Sequence, residues 1–158
     1  MNVFALNILL AFVWQALTAS FSLFGLISGF VIGYGALWLA QPLFGQGSPY
    51  FRRVYRVIRL ALFFLYELVI SSIRVASDIL RPQGQSNPEI VAMPLDVESD
   101  LEILLVTSLI SLTPGTLSLD VSPDRRTLFV HAMFADDPEA LVAELKHGME
   151  RMVKEAFE

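Results

Sequence analysis

The sequence has no cysteine and no charged residue before Arg52 in its 158 residues. The lack of cysteine excludes disulfides, thiolate metal sites and cysteine nucleophiles. Glycine-rich phosphate loops, nucleophile-elbow patterns and basic tracts are also missing, which argues against nucleotide binding, hydrolase chemistry and a nucleic-acid partner. An uncharged stretch of fifty-one residues does not suit a water-exposed surface, whereas charge at a bilayer centre costs about 2.5–3.5 kcal/mol per group. The composition therefore predicts a membrane protein, with no catalytic, cofactor-binding or metal-binding residue.

The charge that is present divides the chain into three regions. Residues 1–51 are neutral, residues 52–81 carry a net +4, and residues 82–158 hold five basic against fourteen acidic side chains. We therefore expect a membrane part, an acidic water-facing domain and, between them, a basic collar of Arg52, Arg53, Arg56 and Arg59. The positive-inside rule places the collar in the cytoplasm.

Two apolar stretches, residues 3–19 and 23–40, predict a two-helix transmembrane hairpin over residues 1–41, because about 20 apolar residues span a bilayer. Gly25, Gly29 and Gly33 recur every fourth residue and line one face of the second helix. Such a face lets another helix approach closely. Glycine is also common in membrane helices without this role, so the two interpretations stay open.

Residues 50–81 predict one long, Arg-rich amphipathic helix, because its polar side chains recur three or four residues apart. An interfacial helix is favoured, since the charge-poor run of residues 60–73 is shorter than a bilayer span. A third membrane-spanning helix stays open, because the rest of the segment is apolar. Glu67 predicts an intramembrane or interfacial charge pair with Arg74, with Arg59 as the other possible partner. The alternative is a carboxylate on a proton or cation pathway.

A linker at residues 82–88 precedes a small α+β domain at residues 89–158, which we expect to be cytoplasmic. The predicted order is βαββα: a strand at 89–97, a mostly buried helix at 99–112, strands at 117–121 and 127–134, and a helix from 136 to 157. Ser99 and Glu102 match a capping box at the first of these helices. Thr113, Pro114, Gly115 and Thr116 predict a turn that redirects the chain from helix into strand, and we expect this TPGT turn to matter for assembly.

The run SLTPGTL at residues 111–117, then DVS at 120–122 and RTLFVH at 126–131, resembles the E subunit of the Mrp-type (Mnh, Sha or Pha) multisubunit cation/proton antiporters. The resemblance extends to the apolar hairpin, the Arg-rich segment and the total length. It implies a non-enzymatic, multi-pass accessory or assembly subunit in the bacterial inner membrane. It also implies a hetero-oligomeric antiporter of large polytopic and small membrane subunits, in which Na⁺ or K⁺ efflux is coupled to proton uptake and the ion path lies in the large subunits. From the residues themselves, a membrane-anchored cytoplasmic adaptor or regulator unrelated to ion transport stays open.

Overall fold

The computed structural model describes residues 2–19, 21–44, 49–81, 84 and 86–157. The chain forms two compact units, Met1–Tyr55 and Arg56–Glu158. The first contains helix α1 (Val3–Thr18), helix α2 (Leu23–Leu39) and a short 3₁₀ turn, Gln41–Phe44. Helix α3 (Pro49–Leu80) is continuous. The sequence suggests a separate segment here, but most of α3 belongs to the second unit. By length and composition, α3 alone among the described helices is long and apolar enough to cross a membrane.

Helices α1 and α2 pack against each other through small and polar side chains. Asn7, Ala11 and Gln15 form the buried row of α1, and Gly25, Gly29, Gly33 and Leu37 form that of α2. Large apolar side chains face outwards instead, among them Phe12, Leu17, Phe24, Val31 and Leu39. This arrangement is typical of helices in lipid, where small residues mediate helix contacts and large apolar residues meet the acyl chains.

The second unit continues after α3 with the predicted βαββα order. The elements are β1 (Glu89–Pro94), α4 (Asp100–Leu112), β2 (Thr116–Val121), β3 (Thr127–Ala132), α5 (Pro138–Leu145), a π-helical turn (Lys146–Glu150) and α6 (Arg151–Phe157). The three strands are antiparallel in the order β1-β3-β2, so the last strand in sequence is central. The single final helix of the sequence prediction is thus interrupted by a π-helical turn. The capping box is present: the side chains of Ser99 and Glu102 each bond the other residue's backbone N–H.

Two strands end earlier than the sequence predicts. Strand β1 ends at Pro94 instead of residue 97. The N–H of Leu95 still donates to the carbonyl of Arg126, but those of Asp96 and Val97 donate to the side chain of Glu150 in the π-helical turn. Strand β3 ends at Ala132 instead of residue 134. In the predicted linker, Asn87 bridges to Phe134, and its carbonyl accepts the N–H of Ala135; residues 82, 83 and 85 lie outside the described residues.

The core of the second unit lies between one face of the sheet and the helices. Its buried members are Val91, Met93, Val97, Ile103, Val106, Ile110, Leu128, Val130, Met149 and Val153. Leu60, Phe63 and Phe64 of α3 pack against this core and cover it. Helix α4 was expected to be mostly buried, but that expectation is wrong: Leu101, Leu104 and Leu112 are exposed. Only one side of α4 packs against the core. Because the helix is apolar all round, its opposite side exposes apolar side chains.

Candidate functional site

The polar side chains that recur along α3, here called the polar stripe, face the α+β domain. Within the second unit they are Arg56, Arg59, Glu67, Ser71, Arg74, Asp78 and Arg81. Arg59 Nη1 lies 2.9 Å from Glu155 Oε2 of α6. Phe63 lies so close to the π-helical turn that a Cβ added to Gly148 would be 3.1 Å from its Cζ. Near the other end of the helix, Asp78 is buried. The stripe therefore serves as a docking face for the chain's own domain, a role that the spacing of the polar residues did not reveal.

A groove runs between α3 and α5 and consists of two adjoining cavities of about 370 and 410 Å³. We call this feature the α3–α5 groove. The TPGT turn lines the first cavity, and Phe134 lines both. The α3 side chains that line the groove are Phe63, Glu67, Ser71, Arg74, Ser77, Asp78 and Arg81. The structure thus brings together the TPGT turn and the Glu67–Arg74 pair, two features that lie about 40 residues apart in the sequence.

The TPGT turn is held by its own hydroxyl groups. Thr113 Oγ1 donates to the carbonyl of Leu109 at 2.9 Å, and Thr116 Oγ1 donates to that of Ile110 at 2.7 Å. Both carbonyls belong to the last turn of α4, where the regular helical donors run out, and that of Ile110 also accepts the N–H of Thr113. Gly115 has a φ of +92°, and a Cβ there would lie 3.4 Å from Val75 Cγ2 of α3. The turn therefore closes α4, and its glycine brings the backbone next to α3.

The charges in the groove are incompletely neutralised. Glu67 and Arg74 line the same cavity, but no direct ion pair joins these two described residues; the predicted charge pair thus stays a prediction. Glu144 of α5 lines the cavity too, and it repels Glu67 more strongly than Arg74 attracts it. The first cavity therefore combines apolar walls with two carboxylates and one guanidinium.

The glycine face of α2 is occupied by α1 of the same chain. A Cβ at Gly29 would lie 2.9 Å from the carbonyl oxygen of Ala11, and one at Gly33 would lie 2.5 Å from Asn7 Oδ1. The N–H of Gly25 donates to Ser22 Oγ at 3.0 Å, which caps α2. Gly29 and Gly33 thus allow α1 and α2 to pack closely, whereas Gly25 lies at the capped start of α2.

Sequence reasoning missed three buried polar side chains. Asn7 is fully buried and its Nδ2 donates to Tyr50 Oη at 2.9 Å, while Gln15 donates to the carbonyl of Ser22 at 2.8 Å. Residues 7, 11 and 15 recur every fourth residue, as do the glycines at 25, 29 and 33 on the facing helix. This matching spacing is the signal that could have identified Asn7 and Gln15. Glu150 is 2% exposed. Its Oε1 accepts the N–H groups of Asp96 and Val97 at 2.5 and 3.3 Å. No local sequence pattern predicts this contact, because the partners lie more than 50 residues apart.

The basic collar occupies the first turns of α3. Arg52, Arg53 and Arg59 are exposed and Arg56 is half-buried; of the four, Arg59 forms an ion pair with a described residue, Glu155. Within the described ranges, no group of three histidine or carboxylate side chains is arranged to hold a metal ion.

An apolar hairpin, an amphipathic helix and a small domain with a groove together indicate a class of protein: the subunits of membrane complexes. A family model described as Na⁺/H⁺ ion antiporter subunit matches residues 7–156. The E1 subunit of the Na⁺/H⁺ antiporter of Staphylococcus haemolyticus is 34% identical over 153 residues, which cover 97% of this chain and 96% of that protein. The corresponding E-type antiporter protein of Bacillus subtilis is 33% identical over 150 residues, with 95% and 94% coverage. The chain belongs to the family of Na⁺/H⁺ antiporter E subunits, so the resemblance stated from the sequence is confirmed.

Two solved assemblies contain similar chains. A chain of the membrane-bound sulfane sulfur reductase, an archaeal respiratory membrane complex, aligns with a TM-score of 0.61 and 25% identity over 98% of both chains. A chain of the Mrp complex from Dietzia sp. DQ12-45-1b aligns with a TM-score of 0.49 and 32% identity over 63% of this chain and 94% of that one. As a family member, this chain is a component of a multisubunit antiport complex in a membrane and not an enzyme.

Proposed function

We propose that this chain is an accessory subunit of a cation/proton antiporter, which supports assembly of the complex without carrying the ion path. The close contact within its hairpin is the observation that supports this role. At Gly29 and Gly33, a single methyl group on α2 would collide with α1. Helices in such contact have no room between them for a hydrated cation.

A complementation experiment tests the accessory role. The gene is deleted in its native host, and antiport is measured in everted vesicles after the gene is restored with wild-type chain or with Glu67→Gln. We expect the deletion to lower the amount of assembled complex, and Glu67→Gln to keep more than about half of the antiport activity. Loss of antiport by Glu67→Gln in a fully assembled complex would instead place this carboxylate on the ion path.

We further propose that α3 lies in the plane of the membrane interface, with the α+β domain on the cytoplasmic side. The face of α3 opposite the domain exposes Ile58, Leu62, Leu65, Val69 and Ile73. If α3 crossed the bilayer, the domain that covers its polar stripe would carry charged groups such as Glu144 and Glu155 into the hydrocarbon. Each buried charge would cost about 2.5–3.5 kcal/mol even on the lenient insertion scale. An interfacial helix avoids this cost and leaves the collar at the cytoplasmic surface.

Cysteine labelling distinguishes the two orientations, because the chain has no native cysteine. Ile58→Cys, Leu65→Cys and Ile73→Cys place a fluorophore at three points on one face, about 22 Å apart from first to last along a helix. Depth-dependent quenching by brominated lipids should give one common depth for all three. A depth that changes steadily from residue 58 to residue 73 would show that α3 spans the bilayer.

A further inference from the structure

We infer that the α3–α5 groove binds a Lys/Arg-rich cytoplasmic loop of a neighbouring polytopic subunit in the antiport complex. This inference rests on the proposed function, because it requires that the chain be assembled with membrane subunits.

The groove is acidic along its whole length. Glu67, Asp78, Asp136, Asp137 and Glu144 line it, against two arginines, Arg74 and Arg81, and one histidine, His147. Glu67 and Glu144, which face the first cavity, form no direct ion pair with any other described residue. Because each repels the other across the cavity, a cationic side chain between them would relieve that repulsion.

The walls of the groove suit the aliphatic part of such a side chain. Phe63 and Leu141 line the first cavity, and Phe134 lines both cavities. Lysine and arginine carry apolar stems that pack on such surfaces while the charged end stays at a polar group. The second cavity, with Asp136 and Asp137 at the start of α5, extends the acidic surface to a second basic residue of the same loop.

The position of the groove favours a protein loop over lipid headgroups. Residues 82–158, which supply the domain side of the groove, hold fourteen acidic and five basic side chains, so anionic lipid would be repelled. Cytoplasmic loops of polytopic membrane proteins carry an excess of lysine and arginine. With α3 in the interface, the groove would lie at the level where these loops leave the membrane.

Site-specific photo-crosslinking in the assembled complex tests the inference. Ala140 is exposed and lines the groove, whereas Glu139 lines the opposite side of α5 against β1. A photo-crosslinking amino acid replaces one or the other in the tagged full chain, the complex is purified from native membranes after irradiation, and the crosslinked peptides are sequenced. We expect position 140 to crosslink to a Lys/Arg-rich loop of a polytopic subunit at a yield at least about five times that of position 139.

Charge variants then test the electrostatic part of the contact. Glu144→Lys should lower the crosslink yield at position 140 about fivefold, since it replaces an attraction by a repulsion. Glu139→Lys, the same charge change on the other side of the helix, should leave the yield unchanged; should Glu144→Lys fail to assemble, Glu144→Gln is compared with Glu139→Gln. The inference is overturned if an intact complex gives only lipid adducts, adducts to a loop without basic excess, no adduct, or equal losses for both variants. A chain that purifies without polytopic subunits would refute the proposed function instead.

Discussion

At the scale of single residues, the contact between Gly33 and Asn7 sets how closely α1 and α2 approach. A Cβ at Gly33 would lie 2.5 Å from Asn7 Oδ1 and 3.1 Å from Leu10 Cβ. We therefore expect Gly33→Ala to destabilise the hairpin by about 1–3 kcal/mol, the usual cost of overpacking. The measurement is the thermal unfolding midpoint of the purified chain in detergent, followed by tryptophan fluorescence, because Trp14 and Trp38 both lie in the hairpin. Gly35→Ala is the matched control, since a Cβ there would meet no side chain and no other helix of the described residues within 4 Å. Equal midpoints for the two variants would contradict the packing argument.

Ser99 is the residue whose contribution to stability should depend on pH. Its hydroxyl donates to Glu102 Oε2 at 2.5 Å, and this bond holds the pKa of Glu102 below its usual value. A carboxylate with a lowered pKa stabilises the fold above its unfolded-state pKa, and the contribution is lost as the pH falls through the folded-state pKa. Ser99→Ala should therefore cost about 1 kcal/mol near pH 7, and the difference from wild type should shrink below about pH 4.

Circular dichroism melts of both chains at pH 7 and at pH 3.5 measure this effect. The control is Ser108→Ala, on the same helix but away from the cap, which should behave alike at the two pH values. A Ser99→Ala penalty that is as large at pH 3.5 as at pH 7 would exclude a role for the ionised Glu102 side chain.

At the scale of elements, Glu150 joins the π-helical turn to the segment after β1. Its buried Oε1 accepts the backbone N–H groups of Asp96 and Val97. Glu150→Ala leaves both donors without a partner, and we expect a loss of about 3 kcal/mol in the unfolding free energy of the second unit. Glu150→Gln keeps an acceptor oxygen and should lose less.

Amide hydrogen exchange at Asp96 and Val97 is the readout that separates this role from a general loss of packing. Both amides should exchange faster in Glu150→Ala before the core amides of β3 do. Glu155→Ala, which removes a half-buried carboxylate further along the same helical segment, should change neither amide. Unchanged protection at residues 96 and 97 in Glu150→Ala would contradict the assigned bonds.

The elements also show which features a sequence can reveal. The Ser99–Glu102 capping box was predictable because a cap is a local pattern, and so was the hairpin of β2 and β3 on either side of a proline-containing turn. The central place of β3 was not predictable in this way, because strand order depends on contacts between distant segments. The same holds for Glu150, whose partners lie more than 50 residues away.

The candidate site was half predictable for a similar reason. Glu67, Arg74 and the TPGT turn stand out in the sequence, since an acid in an apolar segment and a Pro-Gly pair after a helix are local signals. Their meeting in one groove depends on α3 lying against the domain, where Phe63 packs on the core. A polar stripe looks the same in a sequence whether water, lipid headgroups or another part of the chain covers it.

At the scale of the whole molecule, α3 is part of the second unit and not merely its tether. Leu60, Phe63 and Phe64 cover the core of a domain that has only about 70 residues beyond the linker. Full burial of such a side chain contributes about 1.5–3 kcal/mol, so three partly buried ones contribute roughly 3 kcal/mol. That sum approaches the whole stability that so small a domain retains.

Two fragments test this dependence. A fragment of residues 89–158 should lack a cooperative thermal transition, because removal of α3 exposes the core, whereas residues 56–158 in detergent should unfold cooperatively. Calorimetry or circular dichroism on both fragments measures the difference, and Phe63→Ala in the longer fragment should shift its midpoint part of the way.

If residues 89–158 alone melted cooperatively at the midpoint of the longer fragment, the domain would be independent of α3, and the proposed placement of α3 in the membrane interface would lose its structural basis. A cooperative transition that requires α3 would instead couple the fold of the domain to the helix that meets the lipid.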